Sequence, residues 1–215
     1  MFIDAAIAAG VKRFLPSEFG SNLANPKTAS LAVFGYKLAI RQHLEEKVAA
    51  GAEITYTFVV NSGFLDWGLE HSFLLNWKGG KPEIYDSGNQ LFSATTLESV
   101  GQAVVGVLSH PAETKNRQVN VQSIQVSQNK LLEIAKKVDP ARKWEPVAVS
   151  TKDVESSTSE SLSKGDYSMG VMYDQIKLSI FAEGYGQPLE DENELLGITK
   201  KTDADIVAIW KKLLL

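Results

Sequence analysis

The chain contains no cysteine, which excludes a disulfide framework and a thiolate metal site. Its histidines, His43, His71 and His110, are scattered and show no zinc-ligand spacing. The apolar runs fall far short of the ~20 residues that span a bilayer, so no membrane partner is expected. The first residues lack the basic region and apolar core of a signal peptide. No Asn-x-Ser/Thr sequon occurs, and a cytoplasmic address is the expectation. An excess of positive charge is also missing: 22 Lys and Arg stand against 26 Asp and Glu, for a net charge of -4. The basic residues are dispersed as well, which argues against a nucleic-acid partner.

What is present is ordinary for a globular protein: 215 residues, 44% hydrophobic and 22% charged, enough for one sizeable core or two small ones. The opening residues, Phe2, Ile3, Ala6 and Ile7 with alanines between them, read as an amphipathic helix under way at Met1 and closed by Gly10. A strand follows over 11–15, and a helix leading into a strand implies a parallel sheet. Pro16 lacks an amide hydrogen and ends it. Ser17, Glu18 and Phe19 then occupy a loop at the carboxyl end of a strand, where open α/β sheets bind ligands. The stretch 21–30 reads as polar loop, and a helix over 33–50 ends at Gly51.

Residues 54–60 are β-branched and aromatic without polar alternation, as in a strand covered on both faces. They lead into a second loop, 61–66, holding Asn61, Ser62, Gly63 and Phe64. Asn61 also fits a turn former bonded to its own backbone. Residues 67–77 are rich in aromatics and suit a cover over a pocket or a core helix. Further on, strands are expected at 83–85, 118–122 and 145–149, with a turn at 86–89. Helices are expected at 97–108, 130–138, 171–181 and 204–214, and a solvated helix within 150–165.

Lys37 is the most informative side chain. Helical phasing puts Val33, Lys37, Ile40, Leu44 and Val48 on one stripe. An ammonium on a buried stripe must be compensated, and burial lowers its pKa toward proton transfer. Arg41, one turn on, repels it, so an anion held between the two would relieve both. The plainer alternative has Lys37 snorkelling to water and Arg41 paired with Glu45. No Gly-x-Gly-x-x-Gly turn occurs; Gly184-Tyr-Gly186 lacks the third glycine and follows a helical run. A Tyr-x-x-x-Lys pair is absent too, since Val33 precedes Lys37 by four.

Four segments nevertheless carry a resemblance: Phe2-Ile-Asp-Ala-Ala, then Gly10-Val-Lys-Arg-Phe-Leu-Pro-Ser-Glu-Phe-Gly20, then Tyr36-Lys37-Leu-Ala-Ile-Arg41, and Tyr56-Thr-Phe-Val-Val-Asn61 with Gly63-Phe64. Together they resemble the isoflavone-reductase-like, NmrA-like branch of the atypical short-chain dehydrogenases, over the later two-thirds of that family's usual length. The resemblance implies an α/β fold: the later part of a Rossmann-type parallel sheet, with a small α+β substrate-binding subdomain. It divides the chain into a nucleotide-binding part, 1–65 with 95–140, and a substrate-binding part, 66–94 with 141–215. It further implies an NADP(H)-dependent reductase of a small aromatic molecule. Lys37 then takes the place of the general acid/base. Pro16, Ser17, Glu18 and Phe19 take that of a loop beside nicotinamide and ribose, and Asn61, Ser62, Gly63 and Phe64 that of a loop facing ring and substrate.

The same resemblance expects an opening strand, a glycine-rich phosphate loop and the residues reading the 2′-phosphate before Met1. On that expectation the 215 residues bind NADPH weakly and self-associate through an open sheet edge. The other functional readings are an NmrA-like redox-sensing regulator that binds a dinucleotide without turnover, and an inactive fragment.

Overall fold

The computed structural model describes residues 2–186 and 188–215. Its centre is the strand β2 (Thr55–Val60), whose last five residues are all buried, as its β-branched and aromatic composition requires. It lies between β1 (Arg13–Phe14) and β6 (Arg117–Asn120) and runs parallel to both, with Phe14 opposite Tyr56 and Val60 opposite Asn120. A second sheet joins β3 (Gly63–Phe64), β5 (Phe92–Thr95) and β7 (Ile124–Val126), β5 running parallel to β3 and antiparallel to β7. A third pairs β4 (Glu83–Tyr85) with β8 (Val147–Val149) in parallel. The fold is α/β, built mainly on parallel strands.

Helices cover the first sheet on both faces. Against one face, α1 (Phe2–Ala8) and α3 (Gly35–Ala49) bring Ile3 and Leu44 onto Tyr56 and Phe58. Against the other, α5 (Leu97–Ser109) and α9 (Asn193–Leu196) pack Ala103, Val107 and Leu196 on Val59, Val119 and Val121. Arg13 fastens the edge strand. Its Nε donates to Thr55 Oγ1 at 2.8 Å and its Nη1 to Thr57 Oγ1 and Thr114 Oγ1, both at 2.9 Å. The remaining helices are α2 (Pro26–Ala29), α4 (Leu65–Glu70), α6 (Gln128–Val138), α7 (Thr151–Ser163), α8 (Met169–Phe181) and α10 (Asp203–Leu214). The largest apolar cluster gathers Leu65, Leu69, Phe92, Leu131, Phe181 and Trp210 around the second sheet. Trp210 meets Trp77 edge-on at 5.7 Å, and Phe181 stacks on Tyr85 at 5.1 Å.

Several expectations are corrected. The polar loop 21–30 contains the helix α2, because Asn25 caps it through the amides of Lys27 and Thr28 with Pro26 at its first turn. The loop 61–66 is interrupted by β3 and by the start of α4. Helix α3 begins at Gly35, and Val33 sits in a 3-10 turn, so the stripe through Lys37 is shorter than its phasing implies. Ile40, expected on that buried stripe, is 40% exposed. β7 and α6 contribute Val126, Leu131, Leu132, Ile134 and Ala135 to the larger cluster. The expected helix start at Met1 lies outside the described residues.

Gly106 offers a test of the packing of α5 against α9. A Cβ there would stand 2.5 Å from the carbonyl oxygen of Leu196 and 2.8 Å from its Cα. Alanine gains ~1 kcal/mol of helix propensity over glycine, but a backbone neighbour cannot yield, and overpacking costs ~1–3 kcal/mol. Gly106→Ala is therefore expected to destabilise the fold by up to about 2 kcal/mol in urea unfolding, and a stabilised variant would contradict this packing.

Candidate active site

Two strand ends build the site. β1 runs out at Phe14, and after Pro16 the chain turns through residues 17–22 before it reaches α2 and α3. β2 runs out at Val60 and turns into β3. The amide of Ser62 donates to the carbonyl of Gly20 at 2.8 Å, tying the two turns together. Ser62 itself holds φ at +54°, which is uncommon for a residue with a side chain. Lys37 projects from the first turn of α3 toward this junction. Its Nζ donates to the backbone carbonyl oxygen of Glu18 at 2.8 Å.

The Glu18 side chain turns inward and is 1% exposed. Arg41 meets it there: Nε donates to Oε2 at 2.7 Å, and Nη2 lies 2.6 Å from the same oxygen as a charge contact without an aligned hydrogen bond. The guanidinium also stacks over Phe58 at 4.6 Å and donates from Nη1 to Gln118 Oε1 at 3.2 Å. In place of the bound anion expected between the two cations stands Glu18, its neutral backbone carbonyl on Lys37 and its carboxylate on Arg41. Pairing of Arg41 with Glu45 is not what forms. Burial depresses the Lys37 pKa; the Glu18 charge works against that, and the Arg41 charge adds to it.

A cavity of ≈ 220 Å³ opens at Lys37. Of the residues singled out from the sequence, Phe19, Lys37, Ser62, Gly63 and Phe64 line it. Trp67 and Phe73 line it as well, from the stretch expected to cover a pocket, whereas Trp77 lies in the core. Pro16 and Ser17 face a different, apolar cavity of ≈ 710 Å³ between α1, β1 and α3, beside Phe14 and Ile40. Glu18 and Asn61 line neither. Asn61 is fully buried, its Nδ2 on the carbonyl of Ser62 at 3.2 Å and its own carbonyl accepting from Thr95 Oγ1 at 2.7 Å, so it shapes the turn.

Sequence reading missed the wall supplied by α8, with Tyr173, Ile176 and Ile180. Their three- and four-residue spacing was the available signal. Among the described residues no cluster of His, Asp or Glu is placed to hold a metal, and no helix is long and apolar enough to cross a membrane.

Comparison with known proteins bears on the fold and the family. Residues 1–160 match the NmrA-like family. The oxidoreductase poxI of Penicillium oxalicum is 32% identical over 221 residues, spanning 97% of this chain and 68% of that protein. Among solved structures, an isoflavone reductase superposes with a TM-score of 0.70 at 21% identity, over 99% of this chain and 68% of the other. The binary complex of leucoanthocyanidin reductase with NADPH from Vitis vinifera superposes with 0.70 at 18% identity, over 98% and 70%. At these identities the structural likeness is one of fold. The family match and the relative carry more, and the chain belongs to the NmrA-like family.

Proposed function

We propose that this chain carries the reductive site of a cytoplasmic NADPH-dependent reductase, with Lys37 as the acid/base group and a small aromatic molecule as substrate. The observation that carries the reading is the Lys37 amine, held at 2.8 Å on the Glu18 carbonyl within a cavity walled by Phe19, Phe64, Trp67, Phe73 and Tyr173. One amine hydrogen is engaged there, and an ammonium keeps two more for a substrate oxygen. Burial biases the group toward releasing its proton. The aromatic walls exclude water and hold a flat ring.

The residues present fit the nicotinamide end of a dinucleotide. Phe19, Ser62, Gly63 and Phe64, all uncharged, line the cavity beside Lys37 in the loops that follow β1 and β2. A glycine-rich phosphate turn is not in the sequence. When bound, the cofactor would supply a hydride. The work of the chain is to orient the substrate ring, to polarise its oxygen through Lys37 and to deliver the proton there. This retains Lys37, Phe19, Ser62, Gly63 and Phe64 as direct contacts. It gives Glu18 and Asn61 the part of shaping the loops, and leaves Pro16 and Ser17 to the edge of the neighbouring cavity.

The reductase reading predicts that Lys37→Met lowers kcat/KM for NADPH oxidation at least ~100-fold, with isoflavones and pinoresinol as the test panel. Affinity for NADPH is expected to change by less than about threefold, since Met keeps the shape of the stem. Unchanged turnover in the variant would contradict the role of Lys37, and NADPH binding with no turnover by the unmodified chain would favour a dinucleotide-sensing regulator.

The outer edge of β1 leads to a second part of the proposal, association with another copy of the chain. Among the described residues β1 pairs only with β2. Phe2 and Tyr36, 89% and 87% exposed, flank the apolar cavity beside it. Sedimentation velocity is expected to show a concentration-dependent dimer that Ile40→Glu returns to monomer. A monomer at every concentration would contradict the association.

A further inference from the structure

A histidine outside the Lys37 cavity touches its aromatic wall. His71 ends α4, and its imidazole lies on the indole of Trp67 with ring centres 4.5 Å apart and planes 16° from parallel. Aromatic rings favour such an offset stack. Trp67 lines the cavity, and His71 does not.

The local backbone holds this stack in place. His71 Nδ1 is 2.9 Å from the carbonyl oxygen of Trp67, so that nitrogen donates, and the bond fixes the plane of the ring. Capping of the helix does not account for it, because the same oxygen already accepts from the His71 amide at 2.9 Å. Ser72, at φ +59°, then reverses the chain, and the amides of Phe73 and Leu74 donate to the Gly68 carbonyl at 2.7 and 3.0 Å. Only a glycine fits at position 68 in this turn, since a Cβ would stand 2.6 Å from Leu74 Cγ. Phe73 is returned to 6.2 Å from the Trp67 ring, and it meets Tyr173 of α8 edge-on at 5.9 Å. Four rings thus touch in sequence, His71, Trp67, Phe73 and Tyr173, and the last three line the cavity.

The role of the outermost ring follows from the exposure of its neighbour. Trp67 is 39% exposed, so close packing does not lock it as it locks a core side chain. An indole with that freedom samples several rotamers, and a ligand that requires one of them bears the cost of ordering it. The stacked imidazole removes the freedom beforehand. We propose that His71 is a positioning residue for the aromatic site: it holds the Trp67 indole in the orientation that receives the substrate ring, and so raises affinity without touching the ligand. The inference rests on reading the Lys37 cavity as a site for an aromatic ring.

The test is a double-mutant cycle on the purified chain, read by calorimetry with 4-methylumbelliferone as the aromatic probe. His71→Ala is expected to weaken binding about fivefold, the effect of ordering one large side chain. His71→Phe keeps a stacking ring and gives up the Nδ1 bond, and is expected to bind within about twofold of the unmodified chain. In a Trp67→Leu background, itself weakened, His71→Ala should have no further effect. Urea unfolding reports that each variant is folded, and a merely structural role would lower the unfolding midpoint while leaving binding unchanged. Unchanged binding in His71→Ala, failure of His71→Phe to restore it, or a loss of equal size in the Trp67→Leu background would each overturn the inference and leave the ring site intact. Absence of probe binding by the unmodified chain would overturn the ring-site reading, and the inference with it.

Discussion

A carboxylate buried at the end of the edge strand governs the geometry of this site. Glu18 is taken almost wholly out of water, which is costly for a charged group unless a partner and hydrogen bonds replace the solvent. Arg41 does so, and is itself held by the face of Phe58 and by Gln118 on β6. Breaking such a pair by removing one member typically costs ~3–5 kcal/mol. The loop after β1 therefore has little freedom, and the carbonyl it presents to Lys37 stays in place. Helix α3 supplies both cations, one for each end of Glu18, so strand, loop and helix are fixed in a single register.

That constraint explains how a half-buried lysine can stand beside an arginine. Repulsion from Arg41 is offset where its charge is met by Glu18, and burial is left as the main influence on the Lys37 amine. The other half of the site follows from the turn after β2. Ser62, with its positive φ, binds Gly20 through its amide and so locks the second loop to the first. A residue of uncommon φ thus ties the two strand-end loops together, while the helices around them pack by ordinary apolar burial. The fold shared with isoflavone reductase, at 21% identity, shows how much sequence can change around this scaffold.

Parts of this were legible in the sequence because their signals are local. The uninterrupted β-branched run of β2, Gly51 closing α3 and the proline after β1 mark their own boundaries. Strands β5 and β7, of four and three residues, carry too few side chains for a period to be read, and neither was found. Lys37 stood out by its phase on a helix, but the compensating anion could only be located by tertiary structure. Glu18 and Arg41 are 23 residues apart, and nothing in their spacing ties a loop carboxylate to that guanidinium rather than to Glu45. Pro16 and Ser17 sit in the same loop as Phe19, yet face another cavity, because a loop has no period from which the direction of a side chain can be read. Tyr173 was overlooked for a different reason: α8 is remote in the chain, and its apolar spacing reads as core.

The central claim is that burial, with an ion pair close by, sets the state of the Lys37 amine. It is tested most directly by following the Lys37 side chain by NMR, with lysine labelled at Cε and the signal assigned by its loss in a Lys37 variant, through an alkaline titration. The account predicts a transition clearly below those of the exposed lysines. A Lys37 signal that titrates together with the surface lysines would contradict it.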